Sequence, residues 1–192
     1  MALELQQRLL HVEEYQRMVE VGILTEDDRV ELLAGKMIQM SPIGIRHVNC
    51  VNALTSLFAP FYDEVIISVQ NPLQLDQFSL PEPDLAILKK DERNKPIALP
   101  NAEEVLLVVE VADSSLGKDA QIKQELYAKA AVPEYWIVDL VNDLILVFRE
   151  PKDGAYQIRH QFSTGESFSF PALGGTVEVN AILPWTGTCA AI

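Results

Sequence analysis

The sequence predicts an α/β (α+β) chain: a mixed β-sheet with helices packed against it and antiparallel hairpins at its periphery. Three observations lead there. The run Val105-Leu106-Leu107-Val108-Val109-Glu110-Val111 is nearly continuous in apolar character, which suits a central strand covered on both faces. A helical segment and a second buried-looking strand, Tyr135–Leu140, follow it, and a strand–helix–strand unit implies a crossover and a parallel pair. Short apolar runs around Ala34-Gly35 and Asn142-Asp143 add hairpins.

In chain order, Val12 to Leu24 reads as a helix, with Val12, Tyr15, Val19 and Ile23 at helical spacing and Gly22 near its end. Arg29–Leu33 is a short strand, Ala34-Gly35 a tight turn, and Lys36–Met40 the returning strand. Ser41-Pro42 breaks it. Ile43 to Phe61 is a second helix, with Ile45, Val48, Val51, Thr55, Phe58 and Phe61 near one face. Val65–Val69 is a β-branched strand, and Asp84–Leu88 the next. Asp91 to Asn101 is a polar loop carrying Pro96 and Pro100. After the Val105 strand, Asp113-Ser114-Ser115 can cap a helix over Lys118–Ala131, which Pro133 ends. Leu144–Phe148 pairs back on Tyr135–Leu140, and the remainder, with Gly154, Gly165 and Gly174-Gly175, reads as short strands and turns.

A chain of 192 residues can bury a sizeable core. Without repeat, low-complexity segment or linker, residues 1–192 are read as one domain. Apolar content of 48% and charged content of 22% are those of a soluble globular protein. No apolar run reaches the roughly 18–20 residues that span a bilayer, and the first residues lack a basic start and long apolar stretch. The expectation is a cytoplasmic protein with no membrane partner. Cys50 and Cys189 have no metal-type spacing and read as incidental thiols, a disulfide being the alternative. The net charge of −13 argues against broad, nonspecific affinity for nucleic acid, which needs basic patches. Lys89-Lys90 with Arg93-Lys95 is the nearest to one.

Chemistry concentrates at a few charges set into apolar elements. A carboxylate taken out of water costs several kcal/mol unless it is paired or bound to a metal. Glu110 alternates with Leu106 and Val108 on one face of a core strand; the competing reading is a charge at the sheet edge paired with a lysine or arginine. Asp84 follows Pro81-Glu82-Pro83, which stiffens the approach; alone it reads rather as a turn residue accepting backbone hydrogen bonds. Lys123 shares a helix stripe with Asp119 and Tyr127, beside Ile122 and Leu126, which are expected to face the sheet. Lys123 would then lean inward, or else stay solvated and pair with Asp119. Glu31 either completes the carboxylate cluster or lies exposed on its hairpin. His47 reads as capping or packing, Tyr127 and Trp136 as core aromatics, and Asp139 as a locally paired strand end. His11 and His160 have no supporting neighbours.

Taken together, Asp84 and Glu110 suggest a shared metal with an ammonium beside it, the constellation that metal-assisted phosphodiester hydrolysis uses. Carboxylates without clustered histidines or cysteines favour Mg²⁺ or Mn²⁺ over zinc. No P-loop, dinucleotide fingerprint or Gly-x-Ser-x-Gly elbow occurs, so a nucleotide cofactor and serine-hydrolase chemistry have no support.

The matching text runs Val30-Glu31-Leu32-Leu33-Ala34-Gly35-Lys36, Met40-Ser41-Pro42 with His47, and Pro81-Glu82-Pro83-Asp84-Leu85-Ala86. It continues through Val109-Glu110-Val111-Ala112-Asp113-Ser114-Ser115, Asp119, Lys123 and Tyr127 to Val132–Asp139. As a set it resembles the Uma-type restriction endonuclease family, a branch of the PD-(D/E)XK nucleases. The resemblance implies a restriction-endonuclease-like fold and Mg²⁺-dependent cleavage of DNA. Asp84 would match the first acid, Glu110 the second, and Glu31 an additional acid from an earlier element, all three as metal ligands. The usual lysine, two residues after the second acid, is here Ala112; Lys123 looks like its relocated substitute. A homodimer would place two sites across a duplex. Fold alone does not fix function, so a catalytically silent module that binds a protein partner stands as the alternative, and hydrolysis of RNA or a small phosphodiester as a third.

Overall fold

In the computed structural model, which describes residues 7–25, 27–90, 98–113 and 118–183, the Val105 run is a central strand, as its apolar character requires. It is β5 of fourteen helices and strands. In order these are α1 (Val12–Glu20), β1 (Val30–Leu33), β2 (Lys36–Gln39), α2 (Ile45–Phe58), β3 (Val65–Val69), β4 (Leu85–Lys89) and β5 (Val105–Ala112). Then come α3 (Lys118–Lys129), β6 (Glu134–Asp139), β7 (Leu144–Lys152), β8 (Ala155–Ser163), β9 (Ser167–Phe170), β10 (Gly175–Glu178) and α4 (Val179–Ile182). The expected loop over 91–97, the Ser114-Ser115 cap, the Asp119 side chain and Cys189 lie outside the described residues.

Six strands form one sheet in the order β3-β4-β5-β6-β7-β8. Only the β5–β6 pair is parallel, because α3 carries the chain back between them. Hairpins β1–β2 and β9–β10 form two small antiparallel sheets. The β1–β2 turn puts both Ala34 (φ 49°) and Gly35 (φ 75°) at positive φ, the mirror-type turn that matches strand twist.

Alternation splits the core in two. Leu107, Val109 and Val111 join Trp136 and Val138 against Cys50, Leu54 and Phe58 of α2 and Ile182 of α4. Val108 joins Tyr135 and Ile137 against Tyr127 of α3. A smaller cluster, Val12, Tyr15, Leu32 and Leu80, seats α1 on the β1–β2 hairpin. Glu134, bonded by Trp136 Nε1 and by Arg149, lies buried, and Arg149 also donates to the Ser169 carbonyl, tying β9 to the main sheet.

Four expectations need correction. Leu106 does not share the Glu110 face: pairing steps from Ile87–Leu107 to Leu88–Val105, leaving Leu106 as the extra residue of a bulge and packed with the α2 cluster. The first helix stops at Glu20, and Val19 and Ile23 are exposed, at 50% and 64%, because only its first turns meet the hairpin. The inward stripe of α2 is His47, Cys50, Val51, Leu54 and Phe58; Ile45 is 75% exposed. Apolar residues lie on both sides of that helix, and periodicity alone did not choose between them. On α3, Ile122 faces out at 41% exposure while Lys123 and Tyr127 are buried, because the acids beneath supply the lysine's partner.

Candidate active site

Four elements bring the four expected residues together. Glu31 projects from mid-β1, where a two-residue turn fixes the register of its hairpin. Asp84 immediately precedes β4, one residue before the strand rather than within it. Glu110 stands near the C-terminal end of β5, two residues beyond Val108 and on the α3 side. Lys123 reaches down from α3.

The lysine is the hub. Its Nζ lies 2.9 Å from Glu31 Oε2 and 3.0 Å from Glu110 Oε1. Tyr127, one turn further along α3, donates its hydroxyl to the same Glu110 oxygen at 2.8 Å. Glu31 Oε2 also accepts the Glu82 backbone N–H at 3.1 Å. Asp84 is held separately: Oδ1 faces His47 Nε2 at 2.9 Å, and Oδ2 accepts the Val111 N–H at 2.8 Å. That N–H belongs to the residue after Glu110, so Asp84 and Glu110 meet at the end of β5. The open alternatives are resolved accordingly. Glu31 is buried rather than exposed, and Glu110 and Lys123 do pair, inside the protein. Asp84 accepts a backbone hydrogen bond and lies beside the cluster, held by His47.

Burial pushes the Glu110 carboxyl up to about 7, helped by the charges of Asp84 and Glu31 and opposed by the Lys123 ammonium. Burial alone would pull Lys123 down, but Glu110 and Glu31 outweigh it and hold the lysine above its ordinary value. His47 is desolvated too, yet Asp84, with Asp113 and Glu110, raises it. Glu82 is raised by burial and by Glu31, with Lys123 and Arg29 opposing. The site is thus a largely buried knot of acids with one firmly protonated lysine.

Among the described residues no group of three or more His, Cys, Asp and Glu side chains is arranged to hold a metal ion. The reason is visible: Lys123 Nζ sits between Glu31 and Glu110, and His47 takes Asp84. The donor chemistry nonetheless suits a hard divalent ion. Three carboxylates stand against one ammonium, and burial, helped by the charges of Asp84 and Glu31, holds the Glu110 proton toward neutrality.

Two further residues belong to the site. The sequence reads His47 as capping or packing and Tyr127 as a core aromatic; both are buried, yet each bonds a site acid. The signal for His47 was a polar residue on an apolar helix stripe with no partner of its own; Tyr127 had only its i+4 spacing from Lys123. Elsewhere the expectations stand: His11 packs on Phe78 at 4.5 Å, and Asp139 accepts the Val141 and Asn142 N–H groups locally.

Fold and site define a restriction-endonuclease-like protein, a mixed sheet gathering acids and a lysine at the end of its parallel pair. The chain belongs to the Uma2 family, whose model, described as "Putative restriction endonuclease", matches residues 12–181. Among solved structures it is similar to a protein from Anabaena variabilis ATCC 29413, described as a putative nuclease belonging to DUF820. The TM-score is 0.69 at 16% identity, covering 92% of this chain and 98% of that one. No curated protein matches the chain in sequence. No helix among the described residues is long and apolar enough to cross a membrane.

Proposed function

We propose that this chain is a Mg²⁺- or Mn²⁺-dependent endodeoxyribonuclease, with Asp84, Glu110 and Glu31 as ligands of the ion and Lys123 as its companion cation. The observation that carries the reading is the meeting of Glu31, Glu110 and Lys123, from β1, β5 and α3, beside Asp84. Family membership and the fold likeness support a nuclease.

The bound ion would polarise the phosphate and lower the pKa of its water. The residues divide the remaining work. Asp84, Glu110 and Glu31 supply oxygens and the negative charge that draws the ion in. Tyr127 fixes the rotation of Glu110 through its hydroxyl. Lys123, kept protonated by two carboxylates, does not serve as a base; it offsets charge building on phosphate oxygens. Its ammonium stands at Glu110, where the lysine usual in the wider PD-(D/E)XK superfamily, two residues after the second acid, is Ala112. Arg29 lines a cavity of about 480 Å³ with Gln39, Met40 and Ser41, and it opposes the raised carboxyl of Glu82. The active unit would be one domain over residues 1–192, cytoplasmic, working on DNA as a homodimer without a nucleotide cofactor.

The test is nicking of supercoiled DNA with Mg²⁺ or Mn²⁺. Glu110→Ala should remove it while the circular dichroism stays unchanged; full retained cleavage by this variant overturns the mechanism. A second reading, a silent nuclease fold serving as a binding or assembly module, is favoured by one observation: Lys123 already fills the space between Glu31 and Glu110. Calorimetric titration separates the two. Mn²⁺ binding that vanishes in Asp84→Asn supports the enzyme; no binding, even with DNA present, supports the module.

A further inference from the structure

The Asp84 carboxylate is gripped from three elements. His47 of α2 meets Oδ1 at 2.9 Å, Val111 of β5 donates its N–H to Oδ2 at 2.8 Å, and Gln70, just after β3, offers Nε2 to Oδ1 at 3.4 Å. Of the two side chains among these, His47 is buried, 8% exposed, and Gln70 is exposed.

An imidazole is a poor choice for packing there. Its stripe neighbours are Cys50, Val51 and Leu54. Its second nitrogen, Nδ1, is buried and makes no hydrogen bond among the described residues. A buried polar atom without a partner opposes folding, and an apolar side chain would fill the same place without that cost. The one nitrogen that finds a partner goes to a site acid. The N-terminus of α2 also lies close to the end of β5: a Cβ on Gly44 would stand 2.5 Å from Asp113 Oδ2. Helix, strand end and carboxylate are therefore in direct contact.

We propose that His47 is a positioning residue for Asp84. Its Nε2–H fixes the rotation of the carboxylate, so that Asp84 keeps its Val111 bond and presents one orientation to whatever the acids bind. The orientation itself needs no metal. Its consequence for cation binding rests on the reading of Asp84 as a ligand, and the two are tested separately.

The experiment uses the full chain as wild type, His47→Ala, His47→Gln and Asp84→Asn. The first readout is metal-free: amide hydrogen exchange at Val111, whose N–H bonds Asp84. Loss of the brace should speed it by about tenfold or more in His47→Ala, a local opening rather than global unfolding. His47→Gln retains an N–H donor and should restore protection. The second readout is Mn²⁺ affinity by calorimetry, which should fall roughly 10–100-fold in His47→Ala, the usual effect of losing an outer-shell partner, and recover in His47→Gln. Wild-type protection of Val111 in His47→Ala overturns the proposal, as does equal loss in His47→Gln and His47→Ala. Unchanged Mn²⁺ affinity in His47→Ala, where the wild type binds, overturns it too. If exchange at Val111 responds as expected while the wild type binds no Mn²⁺, the brace stands and the metal reading alone fails.

Discussion

Lys123 and Glu110 lie thirteen residues apart in the chain and 3.0 Å apart in space, the lysine on a helix and the acid on the strand beneath it. The contact closes the α3 crossover onto the end of β5. It also makes one ammonium the partner of two buried carboxylates, since Glu31 shares it.

Removing that ammonium should therefore destabilise the protein well beyond a surface effect. Lys123→Ala leaves two acids facing each other without a cation, and breaking a buried pair typically costs about 3–5 kcal/mol. Thermal unfolding should show the loss, and Mn²⁺ should restore part of it by supplying positive charge. A melting temperature equal to wild type would mean that the lysine is solvated in solution.

Divalent-dependent nicking should fall in Glu110→Ala beyond the roughly 10–100-fold expected for an outer-shell partner. Tyr127→Phe, which removes only the hydroxyl on Glu110, should fall within that range. Gel-based nicking rates at fixed Mn²⁺ compare the two; equal losses would place Tyr127 on the same footing as the acid it holds.

Stability should depend on pH in a definite direction. The folded Glu110 titrates at about 7 against an ordinary 4.5, so between those values the folded chain holds a proton that the unfolded chain releases. That contribution is fully present below 4.5 and is lost as pH rises through about 7. His47, raised above its ordinary 6.5, has the same sign: present below 6.5, lost as pH climbs through its folded value. Metal-free protein should melt lower at about pH 8 than at about pH 5.5, by roughly 1–3 kcal/mol of stability at Glu110. Glu110→Gln should flatten the slope between them. A steeper or unchanged slope in that variant refutes the assignment.

Gly35→Ala should lower stability by about 1–3 kcal/mol, since Gly35 has a φ of 75° and an added Cβ would meet Leu9 Cβ at 2.6 Å. Chemical denaturation gives the value. Because the turn sets the register that carries Glu31, Mn²⁺ affinity should drop with it; a change in stability alone would show that Glu31 is held by Lys123 and Glu82 without help from the turn.

The order and type of most elements were legible because they follow from local rules. The Val105 run is buried on both faces, Ala34-Gly35 permits only a tight hairpin, and α3 stops before Pro133, at a left-handed Ala131 (φ 57°). Helix faces were less legible. On α2, apolar residues stand on both sides, and the inward one includes His47; on α3 the buried residue is a lysine and the exposed one Ile122. Hydropathy ranks each residue against water, whereas these positions are decided by a charged partner on another element. The Leu106 bulge was hidden for a related reason, since strict alternation assumes a regular ladder and only the partner strand reveals the extra residue.

The sequence by itself determined the order of the elements that carry Glu31, Asp84, Glu110 and Lys123, and that a crossover joins the last two. Only the tertiary structure decided who holds whom: one ammonium between Glu31 and Glu110, a tyrosine hydroxyl on Glu110, an imidazole on Asp84. Burial forces each of these charges to find a partner, but the choice of partner depends on distances between elements that are far apart in the chain.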